Sequence, residues 1–194
     1  MSKTLGVWHE CLNLAIQAYN AGSYGIAAVI VDQDGTIVAR GRNQLRDNEE
    51  SCNQIKMTTI AHAEINALNN LPPEKQKERT LTLYTTVEPC PMCLGAIVMS
   101  RIRRIVVGST DPWAGAIRLI EKDDYLSKKG IQVEFIEGRI EKLCFALHYF
   151  SLKKSLKSEH GIFKRLIDRF PDYCKTIDSF MFVQPLTLER LLAI

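Results

Sequence analysis

Two short stretches constrain this chain more than any others: His62-Ala63-Glu64 and, about one strand later, Pro89-Cys90-Pro91-Met92-Cys93. An imidazole, a carboxylate and two thiols in this order fit one chemistry if the fold brings them together. Zinc prefers imidazole and thiolate ligands, and a catalytic zinc takes three protein ligands and leaves a fourth position for water or hydroxide. His62, Cys90 and Cys93 supply three. Glu64 stands close to such a centre without being needed to bind it, where a carboxylate can take and return protons. A Cys-x-x-Cys pair at the start of a helix presents both sulfurs at its N-terminal end. There the helix dipole and the cation favour thiolate, and Pro89 and Pro91 suit a helix start. The residues alone leave two alternatives open: a structural zinc with Cys52 or His9 as fourth ligand, and a zinc-stabilised binding protein without turnover. Glu64 argues against both, because a purely structural site gains nothing from a carboxylate there.

Hydrophobic periodicity sets the elements around this site. Leu5, Trp8, Leu12, Ala15, Ile16 and Tyr19 share one face of an amphipathic helix, which Ala21-Gly22-Ser23 stops. Ile26 to Val31 is a continuous apolar run of strand length. Asp34-Gly35 signals a hairpin, with Thr36 to Ala39 as the returning strand. Gly41 to Thr59 reads as a long loop, and loops of that length are usually functional or mobile. Ala61 to Leu68 is a helix, Leu81 to Val87 a strand, Gly95 to Met99 a helix and Ile105 to Val107 a strand. A helix is expected around Ile117 to Leu126, a fifth strand over Ile131 to Ile136, and a helix from Gly138 through Phe150. Strands alternating with helices predict an α/β three-layer α-β-α sandwich with a central five-stranded mixed sheet.

The block Leu83-Tyr84-Thr85-Thr86-Val87-Glu88-Pro89-Cys90-Pro91-Met92-Cys93-Leu94-Gly95-Ala96-Ile97, with His62-Ala63-Glu64-Ile65-Asn66-Ala67-Leu68 and Ser100-Arg101-Ile102, resembles the cytidine deaminase-like superfamily. Within it, the tRNA adenosine deaminase and guanine deaminase branch is the most similar. The resemblance runs from roughly Leu5 to Leu152. It implies hydrolytic deamination, in which an exocyclic C–NH2 becomes C=O with release of ammonia. It implies one Zn2+ per chain on His62, Cys90 and Cys93, with Glu64 as the proton shuttle. Asn43 aligns with an asparagine that bonds the substrate base or sugar, though a loop Asn satisfying its own backbone is the plain alternative. Asp111 and Trp113 lie where family members place substrate contacts: Asp111 to accept from a purine amino group or cap its turn, Trp113 to stack or simply pack. Ala63, between His62 and Glu64, and Val29 are expected to contact the substrate, with Val29 and Ile26 neighbouring the pocket wall. Glu88 is expected to shape the turn before the cysteines. A homodimer is implied by the resemblance alone.

Two departures border the substrate: Gly25-Ile26-Ala27-Ala28 replaces the usual Pro and Gly positions, and Met57-Thr58-Thr59-Ile60 replaces the usual Asp-Pro-Thr before the histidine. Together with a net charge of only +3, they favour a small free purine base or nucleoside, with tRNA adenosine-to-inosine deamination as the runner-up. For RNA speaks the segment from Arg139 to Arg169, with eight basic against three acidic residues. Its Tyr149-Phe150 and Lys153, Lys154 and Lys157 resemble the aromatic-plus-basic last helix of tRNA-acting enzymes, though a charge run is usually just a solvated face. Residues 1–155 are expected to form the deaminase domain. Residues 156–194 are expected to be a helical extension packing on it, with Phe163, Leu166, Ile167 and Phe170 as an apolar stripe and Phe180-Met181-Phe182-Val183 as a buried run. No apolar run approaches the roughly 20 residues that span a bilayer. Six cysteines without disulfide-like spacing make the cytoplasm the expected compartment.

Overall fold

A computed structural model describes residues 3–47, 54–157, 160–180 and 185–194. Five strands form one mixed sheet in the order β2-β1-β3-β4-β5: β1 (Ala27–Val31), β2 (Ile37–Arg42), β3 (Thr82–Val87), β4 (Arg104–Ser109) and β5 (Gln132–Phe135). β1 runs antiparallel to both neighbours, while β3, β4 and β5 are parallel. The parallel half needs crossover helices, and these cover the sheet. Helices α2 (Ala63–Asn69) and α3 (Pro91–Met99) lie on one face; α1 (Lys3–Asn20) and α6 (Arg139–Ser155) lie on the other. The three-layer sandwich expected from the pattern is the fold observed.

The pleat explains the two cores. Side chains alternate across a strand, so Ala28 and Ile30 of β1 join Ala63, Ala67, Leu94 and Ile97 under α2 and α3. Ala27, Val29 and Val31 join Trp8, Leu12, Cys144 and Leu147 under α1 and α6. Val29 therefore belongs to the core on the far face from His62. Its assignment to the pocket wall is corrected by strand alternation, whereas Ile26 does pack on the α2 side.

Several boundaries differ from the sequence reading for local reasons. β2 runs on to Arg42, pairing Gly41 with Ala28. Gly41 is needed there, since a Cβ would overlap the Ala63 carbonyl and the Ala67 N–H, so its absence lets α2 settle on the sheet. The single helix expected near 117–126 is two, α4 (Leu119–Lys122) and α5 (Asp124–Ser127). Asp123 turns extended between them and caps α5 through the N–H groups of Tyr125 and Leu126. Leu5, in the first turn of α1, remains 45% exposed rather than joining the core stripe. After α6 come α7 (Gly161–Arg169), α8 (Pro171–Ser179) and α9 (Leu188–Leu192). Ile162, Phe163, Leu166, Cys174, Ile177 and Leu191 from them join the α1–α6 core. Ile167 and Phe180 are exposed; Met181, Phe182 and Val183 lie outside the described residues.

Candidate active site

Two helix starts bring the ligand atoms together. His62 is the extended residue before α2 and Cys90 the extended residue before α3, whose first residue is Pro91. Neither side chain caps its helix, so both are free to face the space between the two N-termini. Cys93 follows one turn inside α3 and is fully buried. The ligand atoms of His62, Cys90 and Cys93 all lie within 4.8 Å of one another. His62 Nδ1 is 3.7 Å from Cys90 Sγ and 3.5 Å from Cys93 Sγ. A tetrahedral zinc, with bonds of about 2.0–2.1 Å to nitrogen and 2.3 Å to sulfur, spaces such ligands roughly 3.6 Å apart. The donor set therefore fits zinc in both kind and spacing. His9, bonded to Asn13 on α1, is not part of this cluster, and Cys52 lies outside the described residues.

The site's charge is arranged for binding a cation. Hydrogen bonding from Cys93 and His62 pulls the Cys90 thiol down to about 4, a thiolate at neutral pH. The same bond from Cys90, with burial, pushes Cys93 up. A hydrogen bond to Cys90 raises the His62 imidazole. A divalent cation replaces the protons these three groups otherwise share.

Glu64, in the first turn of α2, is buried. Burial raises its carboxyl above the ordinary range, against the pull of its backbone hydrogen bond and of His62. Thr85 holds it from the sheet: its Oγ1 lies 3.0 Å from Glu64 Oε1 and 3.0 Å from the Val87 carbonyl. Sequence reading did not single out Thr85. The signal was present, because alternation puts Leu83, Thr85 and Val87 on the α2 face, and a hydroxyl in that apolar row requires a polar partner.

Around this centre the remaining residues play different parts. Asn43 is buried; its backbone bonds Ile26 and its Oδ1 accepts from Leu45 N–H at 3.3 Å, the turn-forming arrangement. Ala63 is fully buried at the start of α2. Asn66, one turn on, clips the returning loop to α2 by accepting from Ile55 N–H and donating to the Ile55 and Arg42 carbonyls. Arg42 and Asp47, on either side of Asn43 in sequence, form a buried ion pair.

Glu88 fastens the loop after β4 to the cysteine turn. Its carboxylate accepts from Asp111 N–H at 3.2 Å and Ile117 N–H at 3.1 Å, while Ala116 N–H bonds the Pro89 carbonyl at 3.0 Å. Gly115 lies against that carboxylate, where a Cβ would collide with it. Asp111 caps the turn, Oδ1 accepting from Trp113 and Ala114 N–H. Trp113 is 52% exposed.

Comparison with known proteins places the architecture. Residues 1–109 match the cytidine and deoxycytidylate deaminase zinc-binding region. A tRNA-specific adenosine deaminase of Haemophilus influenzae is 35% identical over 165 residues, covering 81% of this chain and 90% of that protein. A structure from work on A-to-I editing by tRNA:A34 deaminases superimposes with a TM-score of 0.58 at 29% identity, over 70% of this chain and 100% of that one. A guanine deaminase from Nitrosomonas europaea shares the fold, with a TM-score of 0.56 at 21% identity, over 75% of this chain and 82% of that one. The chain belongs to the cytidine and deoxycytidylate deaminase family. It is a zinc-dependent hydrolase that acts on the C–N bonds of cyclic amidines.

Proposed function

We propose that His62, Cys90 and Cys93 hold the zinc, that Glu64 moves the protons, and that the substrate is an adenine moiety carried in tRNA. The observation that supports the chemistry is a zinc-spaced His/Cys/Cys cluster with a buried carboxylate two residues after its histidine. Bound there, zinc supplies a Lewis acid that brings the acidity of water to neutral pH. Glu64 accepts a proton from the attacking water and delivers it to the ring nitrogen beside the reacting carbon. It then passes the second proton to the leaving amine, so C–NH2 and H2O become C=O and NH3. A raised carboxyl serves both halves of that cycle. Thr85 keeps Glu64 pointed at the site, and Glu88 keeps the Asp111–Gly115 loop on its rim.

The preference for tRNA over a free base reverses the balance drawn from the sequence. It is supported by the identity to a tRNA-specific enzyme over 90% of that enzyme's length; at 21% identity the guanine deaminase likeness speaks for the fold alone. A free purine base or nucleoside is the second reading, favoured by the departures at Gly25–Ala28 and Met57–Ile60. The basic α6 face gives the RNA reading less than its sequence suggested: Tyr149 and Phe150 are buried, and Lys153 pairs with Asp178 of α8 at 2.7 Å.

We further read residues 1–155 as the deaminase domain and 156–194 as an extension packed on it. A homodimer is proposed across the outer face of α3, where Met99 is 68% exposed and bonded through sulfur to the exposed Tyr125. Among the described residues no helix is long and apolar enough to cross a membrane, and five cysteines outside any disulfide suit a reducing cytoplasm. Ammonia release by the zinc-loaded protein decides the substrate. The panel is an adenosine-containing anticodon stem-loop, guanine, adenine, cytosine and their nucleosides. Release from the stem-loop alone is expected; release from a free base alone replaces the tRNA reading with the second one.

A further inference from the structure

Trp113 is not a loose loop tryptophan: the C-terminal extension holds it. Arg165 of α7 donates from Nη1 to the Pro112 carbonyl at 3.0 Å, and its guanidinium carbon sits 5.2 Å from the centre of the Trp113 ring. His160, the residue capping α7, places its ring 5.1 Å from the same indole, tilted by 60°. The α7 backbone at Gly161 runs beside the same indole, where a Cβ would make ordinary contact at 3.8 Å. So one helix grips both the backbone and the ring of the loop that Glu88 ties to the cysteine turn. Yet Trp113 stays exposed.

We propose that α7 and Trp113 together form a second binding surface, taking the nucleotide next to the one being deaminated in a single-stranded RNA loop. The inference rests on the tRNA reading. Three observations carry it. First, an exposed indole backed by a guanidinium is a stacking platform of the kind single-stranded nucleic acid uses, because every base has a π-face. Second, Arg165 spends one of its five N–H donors on Pro112, leaving others for a phosphate. Lys164 on α7 and Lys157 just before it stand exposed, with Glu159 and Asp168 as the acidic residues of that segment. Third, the surface that sequence alone marks for RNA is taken. α6 turns Tyr149 and Phe150 inward, Lys153 is paired to Asp178, and Lys154 lies 5.1 Å from the Tyr19 ring centre. The extension that covers α6 presents its own cations beside the site instead.

The test is a cycle between protein and RNA variants. Zinc-loaded wild type, Trp113→Ala, Trp113→Phe and Arg165→Met are assayed on an anticodon stem-loop and on the same RNA made abasic at the 5′ or 3′ neighbour of the reacting adenosine. On intact RNA, Trp113→Ala should raise KM roughly ten- to hundredfold, the usual worth of one base stacked on an aromatic ring. Trp113→Phe should recover most of it. On RNA abasic at the flank that stacks, wild type should lose a similar factor and Trp113→Ala should lose nothing further. Arg165→Met should lower the salt dependence of binding by about one phosphate contact. Independent, multiplying losses from the Trp113 and abasic changes overturn the inference while leaving tRNA deamination standing. A wild type that releases ammonia from free bases and none from the stem-loop removes both. Zinc content and circular dichroism of each variant separate binding loss from misfolding.

Discussion

The two helix N-termini at the zinc site and the helices that follow α6 obey different logics. In the first region every functional atom is set by elements a few residues long. An extended residue before a helix delivers His62 and Cys90, and the first turns of α2 and α3 deliver Glu64 and Cys93, with Thr85 of β3 behind the carboxylate. In the second region the same side chains change meaning according to what packs on them. Tyr149 and Lys153 look like a nucleic-acid face on α6 in isolation. With α7 and α8 in place, Tyr149 meets Phe163 of α7 edge-on at 6.2 Å, its hydroxyl bonds Asp178 of α8, and Lys153 is neutralised by the same carboxylate. Short-range patterning determines chemistry; long-range packing determines which surface is left to meet a substrate.

The largest effect expected lies in the first region. Glu64→Ala should keep one zinc per chain, since the three ligands are untouched, and lose about 10²–10⁴ in turnover, the usual scale for a general acid–base group. Metal content by atomic spectroscopy and ammonia release check both halves. Full activity would remove Glu64 from the mechanism and make the zinc region as context-dependent as the other. Thr85→Val should follow with a smaller loss of kcat at unchanged zinc content, because Glu64 survives but loses its hydroxyl anchor.

In the second region, Leu166→Ala deletes a fully buried side chain of α7 from the α1–α6 core. Truncations of this kind cost about 2–5 kcal/mol, read as a lower midpoint in urea. Zinc stoichiometry should hold, because the α2–α3 core is separate across the sheet. Loss of zinc in this variant would show that the two regions fold as one unit around the metal.

That division also marks what was legible in the sequence. The sandwich, the alternation of strands with helices and the His/Glu/Cys/Cys cluster follow from periods and spacings confined to short windows, so pattern reading reaches them. Val29 was misplaced because a continuous apolar run hides which way each residue faces; only the partner layers decide it. Glu88 was correctly read as shaping the turn, and Asp111 proves to be occupied in the same way. The contacts of Arg165 and His160 with Trp113 join residues about fifty positions apart, through helices whose docking no local pattern encodes. Thr85 stands between these cases: alternation points it at α2, but the need for a polar partner there becomes visible only beside Glu64.

A pH experiment sharpens the boundary between the regions. His148 of α6 is buried, its Nδ1 without a hydrogen-bond partner among the described residues. Burial pushes its pKa down, opposed by the nearby Asp111 carboxylate. The unfolded chain titrates near 6.5. Above that value both states are neutral and stability is complete. As the pH falls below it, the unfolded state binds the proton first and stability drops by up to about 1.4 kcal/mol per pH unit, until the folded-state pKa is reached. His148→Gln should flatten that fall, measured as the difference in urea unfolding free energy between pH 7.5 and 5.5 for the variant and wild type. An unchanged difference would show that the imidazole is charged in the fold, with Asp111 outweighing burial.

The smallest effect is the most informative about RNA. Lys153 and Asp178 form an ion pair with side-chain exposures of 47% and 43%, and exposed pairs contribute about 0–1 kcal/mol. Lys153→Ala should therefore barely move stability. If α6 is the RNA face, this substitution should weaken stem-loop binding and lower its salt slope as much as Arg165→Met does. If α7 has taken over that face, the lysine is already committed to Asp178 and its loss should leave the salt slope unchanged. Asp178→Ala then serves as the converse. It frees the Lys153 ammonium and should raise RNA affinity slightly, because a cation released from its carboxylate adds to the local positive field. A fall in affinity for Asp178→Ala would show that α8 orders the RNA surface rather than merely neutralising part of it.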